Sequence, residues 1–318
     1  MTTSTEAPLA EGIAYITLSV SDMTGALAFW RDRFGLVEEA RIDGPDAAFA
    51  VLCGVAADDI AEQVMLVTPG GNAGRIHLVR FTNPGEPVRL NAAPTDLAPK
   101  NLDVTCVDMP VKVAALKEAG FAFRSDIGEY EIHGLQAREV QMPGHDDTNI
   151  VFIEVLGGTT VFDVELSQQG YAAVTSFVVV VPDLKREGDF YAEVFGLDEL
   201  LHHRLEGREI EAIVGLPSGC GLELRMLGTE AQPFGRMELV HYEGVVGENR
   251  FLRTGAPATG VLGGGFIVAS LEATAEKLAA FGIAASDVVE SDWLLGKMKA
   301  MRVKTPAGMQ LDLIELGH

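Results

Sequence analysis

The chain repeats itself at a fixed separation of 161 residues, and that repeat constrains the fold more than any other feature. Tyr15 to Asp22 (YITLSVSD), followed by Ala28 to Leu36 (AFWRDRFGL), returns as Ser176 to Asp183 (SFVVVVPD), followed by Asp189 to Leu197 (DFYAEVFGL). The same separation carries Gly74-Arg-Ile-His77 onto Gly235-Arg-Met-Glu238, and Ile153-Glu154 onto Ile314-Glu315. One offset shared by four landmarks, in strand-like, helix-like and loop-like stretches, marks duplication of a whole structural block. A weaker repeat lies inside each half. Asn101 to Asp108 again runs toward a helix-like stretch ending at Gly120, and Phe266 to Ser270 toward one ending at Gly282. Four units therefore start near residues 13, 101, 174 and 263.

Each unit has the same physical logic. A strand of alternating or β-branched residues runs into Asp or Ser, whose side chain can cap the helix that follows. In the first helix Met23, Leu27, Trp30 and Phe34 recur at three- to four-residue steps and predict one buried stripe. Glycine then closes the helix, and three further strands follow across turns such as Gly70-Gly-Asn-Ala-Gly74 and Pro306-Ala-Gly308. The expected organisation is α+β, four β-α-β-β-β units of curved mixed sheet in two modules. Residues 12–157 (units 13–82 and 100–156) form the first module, and residues 170–317 (units 173–243 and 262–316) the second. The Pro-rich stretch Thr82 to Lys100 and the stretch Gly157 to Gly170 read as linkers.

A length of 318 residues fits two domains, and 47% hydrophobic residues suffice for ordinary cores. The net charge of -22 disfavours nucleic acid and anionic membrane as partners. Cys53, Cys106 and Cys220 are scattered, with no zinc-like or disulfide-like spacing, which suits a reducing compartment. Residues 1–12 lack the basic start and apolar run of a signal peptide, and no apolar stretch reaches membrane-spanning length. A cytoplasmic protein with a small-molecule substrate or ligand, as monomer or homodimer, is the expectation.

The Asp-capped helix with its aromatic and Gly-Leu ending, repeated in a fourfold β-α-β-β-β layout, resembles the vicinal oxygen chelate superfamily over nearly the whole chain. That superfamily includes glyoxalase I, extradiol dioxygenases, methylmalonyl-CoA epimerase and bleomycin-resistance proteins. The resemblance implies two units enclosing one pocket, with a divalent metal held by side chains of the first and last strands of each unit. The first-strand position lies seven residues before the cap, at Tyr15, Asn101, Ser176 and Gly263. The last-strand positions are His77, Val151, Glu238 and Asp312.

On this resemblance His77, Glu238 and Asp312 are the candidate metal ligands. Glu238, His77 and Tyr15 are the candidate catalytic groups, and Asn101, Asp103 and Ser176 line a substrate pocket. Alternation supports the facing: Tyr15, Thr17 and Ser19 oppose Ile16, Leu18 and Val20, and Asn101, Asp103 and Thr105 oppose Leu102, Val104 and Cys106. Consecutive units could pair, or the first with the fourth and the second with the third. The latter would bring Tyr15, His77 and Asp312 together, and Glu238 with Asn101 and Ser176. Glu154 and Glu315, on the opposite face, read as solvated surface. So do His145-Asp146-Asp147 and His202-His203. Gly263-Gly-Gly265 marks a place where side chains would obstruct a close approach.

The function implied is a small-molecule lyase or isomerase working beside a carbonyl by acid–base chemistry, with or without a divalent metal. The alternative is a non-catalytic binding protein of the bleomycin-resistance kind. Extradiol cleavage ranks below both, because its two-His-one-carboxylate iron site is not matched.

Overall fold

The computed structural model describes residues 7–158 and 164–317. The first unit runs β1 (Ile13–Ser19), α1 (Met23–Leu27), β2 (Val37–Asp43), α2 (Ala47–Cys53), β3 (Ile60–Val67) and β4 (Arg75–Phe81). The second runs β5 (Pro99–Cys106), α3 (Met109–Glu118), β6 (Gly128–Ile132), β7 (Leu135–Pro143) and β8 (Asn149–Gly157). The third runs β9 (Tyr171–Val180), α4 (Leu184–Phe190), β10 (Asp198–Glu206), α5 (Arg208–Val214), β11 (Gly221–Gly228) and β12 (Arg236–Glu243). The fourth runs β13 (Gly260–Ile267), α6 (Leu271–Phe281), β14 (Val289–Trp293), β15 (Gly296–Lys304) and β16 (Gln310–Leu316).

Among the described residues sixteen strands form two curled mixed sheets of eight, an α+β architecture of half-barrel modules. The sheets do not follow the sequence halves. One has the order β14-β15-β16-β13-β1-β4-β3-β2 and joins the first unit to the fourth; the other, β10-β11-β12-β9-β5-β8-β7-β6, joins the second to the third. The seams are antiparallel, β1 against β13 and β5 against β9. Residues 12–157 and 170–317 each therefore supply one unit to each sheet.

The Pro-rich linker and the stretch between β12 and β13 help to set this pairing. Residues 82–98 run beside residues 247–259: Val88 N bonds to Thr259 O at 2.9 Å and Leu97 N to Glu248 O at 2.9 Å. Asp96 accepts from Arg250 Nε at 2.5 Å, with both side chains buried. The Pro-rich stretch is thus a packed strap as well as a connector.

The stripe Met23, Leu27, Trp30 and Phe34 is buried, as its spacing predicts, and belongs to one apolar cluster spanning the helix-covered faces of both sheets. Asp22, Asp183 and Ser270 cap their helices through their side chains. Asp108 does not: its backbone is left-handed and its side chain makes no cap bond. Glu154, from β8, instead accepts from Asp108 N and Met109 N at 2.7 and 2.9 Å. Its repeat partner Glu315 accepts from Leu271 N at 2.7 Å. The surface reading of these two glutamates is corrected: they close the helix N-termini of their own units, where a carboxylate meets unsatisfied N–H groups.

His145-Asp146-Asp147 lies at the surface, with Asp147 exposed, and its Asp146 has a structural part as well. Asp146 takes hydrogen bonds from Ser21 N and Oγ at 2.6 and 2.5 Å, fastening the second unit to the first. No described helix is long and apolar enough to cross a membrane.

Candidate functional site

Helices α2 and α5 sit at equivalent places between the second and third strands of the first and third units, on the concave sides of the sheets. Sequence reading missed both, although Gly44-Pro-Asp46 before an apolar run is a helix-start signal for the first. Asp46 caps α2 by accepting from Phe49 N at 3.0 Å. What these helices and the strands beneath them carry separates the two concave faces.

The first face is filled. Phe49 of α2 stacks on Trp293 of β14, with ring centroids 5.7 Å apart, and both meet the His77 ring edge-on. Tyr15 lies between them, its ring 5.6 Å from His77 and 5.3 Å from Trp293. Gly265, the neighbour of Tyr15 across the seam, is obligatory, because a Cβ there would stand 2.3 Å from the tyrosine ring. The glycine run therefore admits a close approach, as its composition implies, and the group admitted is the Tyr15 ring.

The polar groups packed around Tyr15 and His77 are hydrogen bonded to protein partners. Tyr15 Oη donates to Asp312 Oδ2 at 3.0 Å, and Arg302 donates to both Asp312 oxygens at 2.6 and 3.0 Å. Gln63 Oε1 accepts from Trp293 Nε1 at 3.2 Å and faces His77 Nε2 at 3.0 Å, while Gln63 Nε2 donates to Asp46 at 2.9 Å. His77 must then donate through Nε2 and accept at Nδ1 from Thr17 Oγ1, 3.2 Å away. Burial, with the Arg302 charge adding to it, pushes the His77 pKa down to about 3, so the ring stays neutral.

The second face encloses a cavity. About 860 Å3 of space free of protein atoms, part of it open to solvent, is lined by β5 to β12 and by Ile210, Ile213 and Val214 of α5. The repeat explains the difference residue by residue. Tyr15 corresponds to Ser176, Phe49 to Ile210 and Trp293 to Ile132, so three rings give way to smaller side chains. Across the seam from Ser176 stands Asp103, the counterpart of Gly265.

The ionisable groups of this cavity gather among apolar walls. Asp103 and Glu238 are hydrogen bonded to each other. Burial, then the Glu238 charge, drives Asp103 well above the usual carboxylate range. Burial, then the nearby Glu139, raises Glu238 to about 7. The two carboxyls therefore share a proton at neutral pH, each held above the usual carboxylate range. The Oδ1 of Asp103 is buried and has no hydrogen-bond partner among the described residues. Glu139, also raised by burial, takes hydrogen bonds from Tyr130 and Gln141.

Lys100 Nζ donates to Tyr242 Oη at 2.5 Å; burial, then the Arg89 charge, lowers its pKa to about 7. Asn149 Nδ2 bridges Asn101 Oδ1 at 2.6 Å and Gln141 Oε1 at 3.2 Å. Sequence reading missed Lys100, Tyr130, Glu139 and Tyr242. Strict alternation turns Lys100 away from Asn101, but a register shift between Pro99 and Asn101 brings both to the cavity.

The three candidate metal ligands do not converge. His77 and Asp312 lie in the first sheet and Glu238 in the second. Both His77 nitrogens and both Asp312 oxygens are engaged by protein groups. In the second cavity the positions equivalent to ligands hold Asn101, Val151, Ser176 and Glu238, only one of them a carboxylate. Among the described residues no three His, Cys, Asp or Glu side chains are placed to hold a metal ion. The donor set does not fit a divalent metal. His202 makes an exposed pair with Glu223 at 2.7 Å, and His203 packs on His133 with centroids 4.7 Å apart.

No family model matches the sequence, and no curated protein matches it. Solved structures do match the fold. Glyoxalase I from Zea mays superposes with a TM-score of 0.62 at 13% identity, covering 96% of this chain and 92% of that one. A Bacillus subtilis protein assigned provisionally as a dioxygenase gives 0.61 at 13% identity, covering 97% and 86%. At such identities the likeness is one of architecture. With its four units, two curled sheets and end-to-end superposition on these structures, the chain has a two-module glyoxalase-like fold.

Proposed function

We propose that the cavity of the second sheet binds a small, largely apolar carbonyl compound and moves a proton beside its carbonyl group, as a lyase or isomerase does. The observation that carries this is the Asp103–Glu238 pair at the floor of an apolar cavity: one carboxyl protonated, the other titrating near neutrality. A general base is most effective with its pKa near the working pH, and burial beside other carboxyls produces that value here. Glu238 takes the proton, Asp103 supplies one to the substrate oxygen, and Tyr130 and Asn101 orient the substrate. The walls, built from Ile132, Leu201, Leu222, Leu224 and Val240, exclude water and select an aromatic or branched aliphatic body. His77 and Tyr15 have no part in this chemistry; they hold the first sheet together.

Solvent deuterium incorporation tests the proposal. Aromatic and branched aldehydes and ketones are incubated with the protein in D2O containing chelator, and exchange beside the carbonyl is followed by proton NMR. Catalysed exchange that Glu238→Gln abolishes, with the fold intact by circular dichroism, supports the reading. Saturable binding without exchange in any compound overturns it in favour of a binding protein, the reading that the mostly aliphatic wall also accommodates.

A further inference from the structure

Lys100 is a buried amine outside the roles just assigned. Its side chain is 4% exposed, and it reaches the cavity only because of the irregularity at the start of β5. Among the described residues its one hydrogen bond to a side chain goes to Tyr242, with Nζ also 5.0 Å from that ring's centroid. Among the described residues no salt bridge holds it, although Asp103, Glu139 and Glu238 are near enough to act on its charge. It also borders a groove on the other side, lined by Arg89, Arg124, Gln141 and Asn149, so the amine stands between that groove and the cavity. An ammonium ion that is desolvated and lacks a carboxylate contact is costly, whereas a neutral amine beside a hydroxyl is not.

We propose that Lys100 is a nucleophile that forms an imine with the carbonyl compound bound in this cavity. This rests on the proton-transfer reading of the same site. The Nζ lone pair adds to the carbonyl carbon, and the amine gives a proton to the resulting oxygen to yield a carbinolamine. A proton from Asp103 lets that oxygen leave as water, and the C=N bond forms as an iminium. The C–H bond beside the iminium carbon then loses its proton to Glu238, its electron pair forming an enamine. Reprotonation and return of water release the carbonyl compound and restore the amine. No oxidant or reductant is needed, and the iminium supplies the electron sink that other members of the fold could draw from an ion.

Reductive trapping is the test. Phenylacetaldehyde and isovaleraldehyde are each incubated with the full chain and cyanoborohydride at neutral pH, and modified lysines are located by peptide mass mapping. The expected result is a secondary amine at Lys100 at least tenfold ahead of each of the seven other lysines, and none there in Lys100→Met. Lys100→Arg, which keeps a cation but cannot form the imine, should lose deuterium exchange as well. Modification of other lysines with Lys100 untouched overturns the proposal. So does exchange that survives Lys100→Arg, and in that case the Glu238 reading stands alone. Trapping at Lys100 without exchange keeps the imine as a binding device and removes proton transfer.

Discussion

Tyr15 donates its hydroxyl proton to Asp312 at 3.0 Å, joining the first strand of the chain to the last across 297 positions of sequence. The bond reaches across β13, which lies between those two strands, and leaves Asp312 with two partners, Arg302 being the other. Tyr15→Phe should cost about 1 kcal/mol, the net worth of one hydrogen bond. Asp312→Ala should cost about 3–5 kcal/mol, because it strands the largely buried Arg302 guanidinium. Urea unfolding of both variants checks the ratio; equal losses would contradict the pairing.

His77 should remain neutral throughout the range where ordinary histidines titrate. Its folded pKa lies below the unfolded value, so its contribution to stability is complete above about 6.5 and is lost as pH falls toward about 3. Its imidazole NMR signals should not move between pH 5 and 8, and His77→Gln should flatten the acid limb of the stability curve.

The contrast between the two concave faces can be transplanted. Ile210→Phe places in the second cavity the ring that Phe49 places in the first. Affinity for an apolar ligand, read by titration calorimetry, should fall at least tenfold, while overpacking costs about 1–3 kcal/mol of stability. Unchanged affinity would locate binding elsewhere.

Exchange beside the carbonyl should rise with pH through a midpoint near 7, since Glu238 must be ionised to act as base. The stability sign is the reverse. A carboxyl whose folded pKa is raised binds more protons in the native state, so stability declines as pH climbs from about 4.5 to about 7. Glu238→Gln should remove the exchange and also gain stability relative to the natural chain at pH 8, measured as a higher melting temperature.

The ion pair that ties the Pro-rich strap to residues 247–259 should prove stronger than any surface pair. Arg250 reaches Asp96, Leu90 O and Asn91 O while only 4% exposed. Arg250→Met should cost about 3–5 kcal/mol by leaving Asp96 buried without its cation. Arg204→Met, at an exposed pair with Glu243, should cost less than about 1 kcal/mol.

Much of the fold is legible in the residues themselves. Helix caps, the Met23 to Phe34 stripe and the alternation of β1 and β5 are local properties, set by side-chain period and by backbone groups a few positions away. The candidate site is legible only in part. Glu238, Asn101 and Asp103 stand at places the repeat singles out. Lys100 escapes because a register shift overrides alternation. Tyr130, Glu139 and Tyr242 escape because a lone tyrosine or glutamate in a strand carries no spacing of its own.

The sequence by itself determined that there are four like units and which side chains occupy equivalent places in each. It did not determine which units share a sheet, because every unit offers the same kind of strand edge at its seam and an identical pattern serves either pairing. Tertiary structure made that choice through contacts distant in sequence: Tyr15 with Asp312, Asp96 with Arg250, and the seam of β1 on β13. The same choice separated His77 from Glu238 and brought Glu238 to Asp103. One cavity then filled with aromatic rings, and the other stayed open around its acids and its lysine.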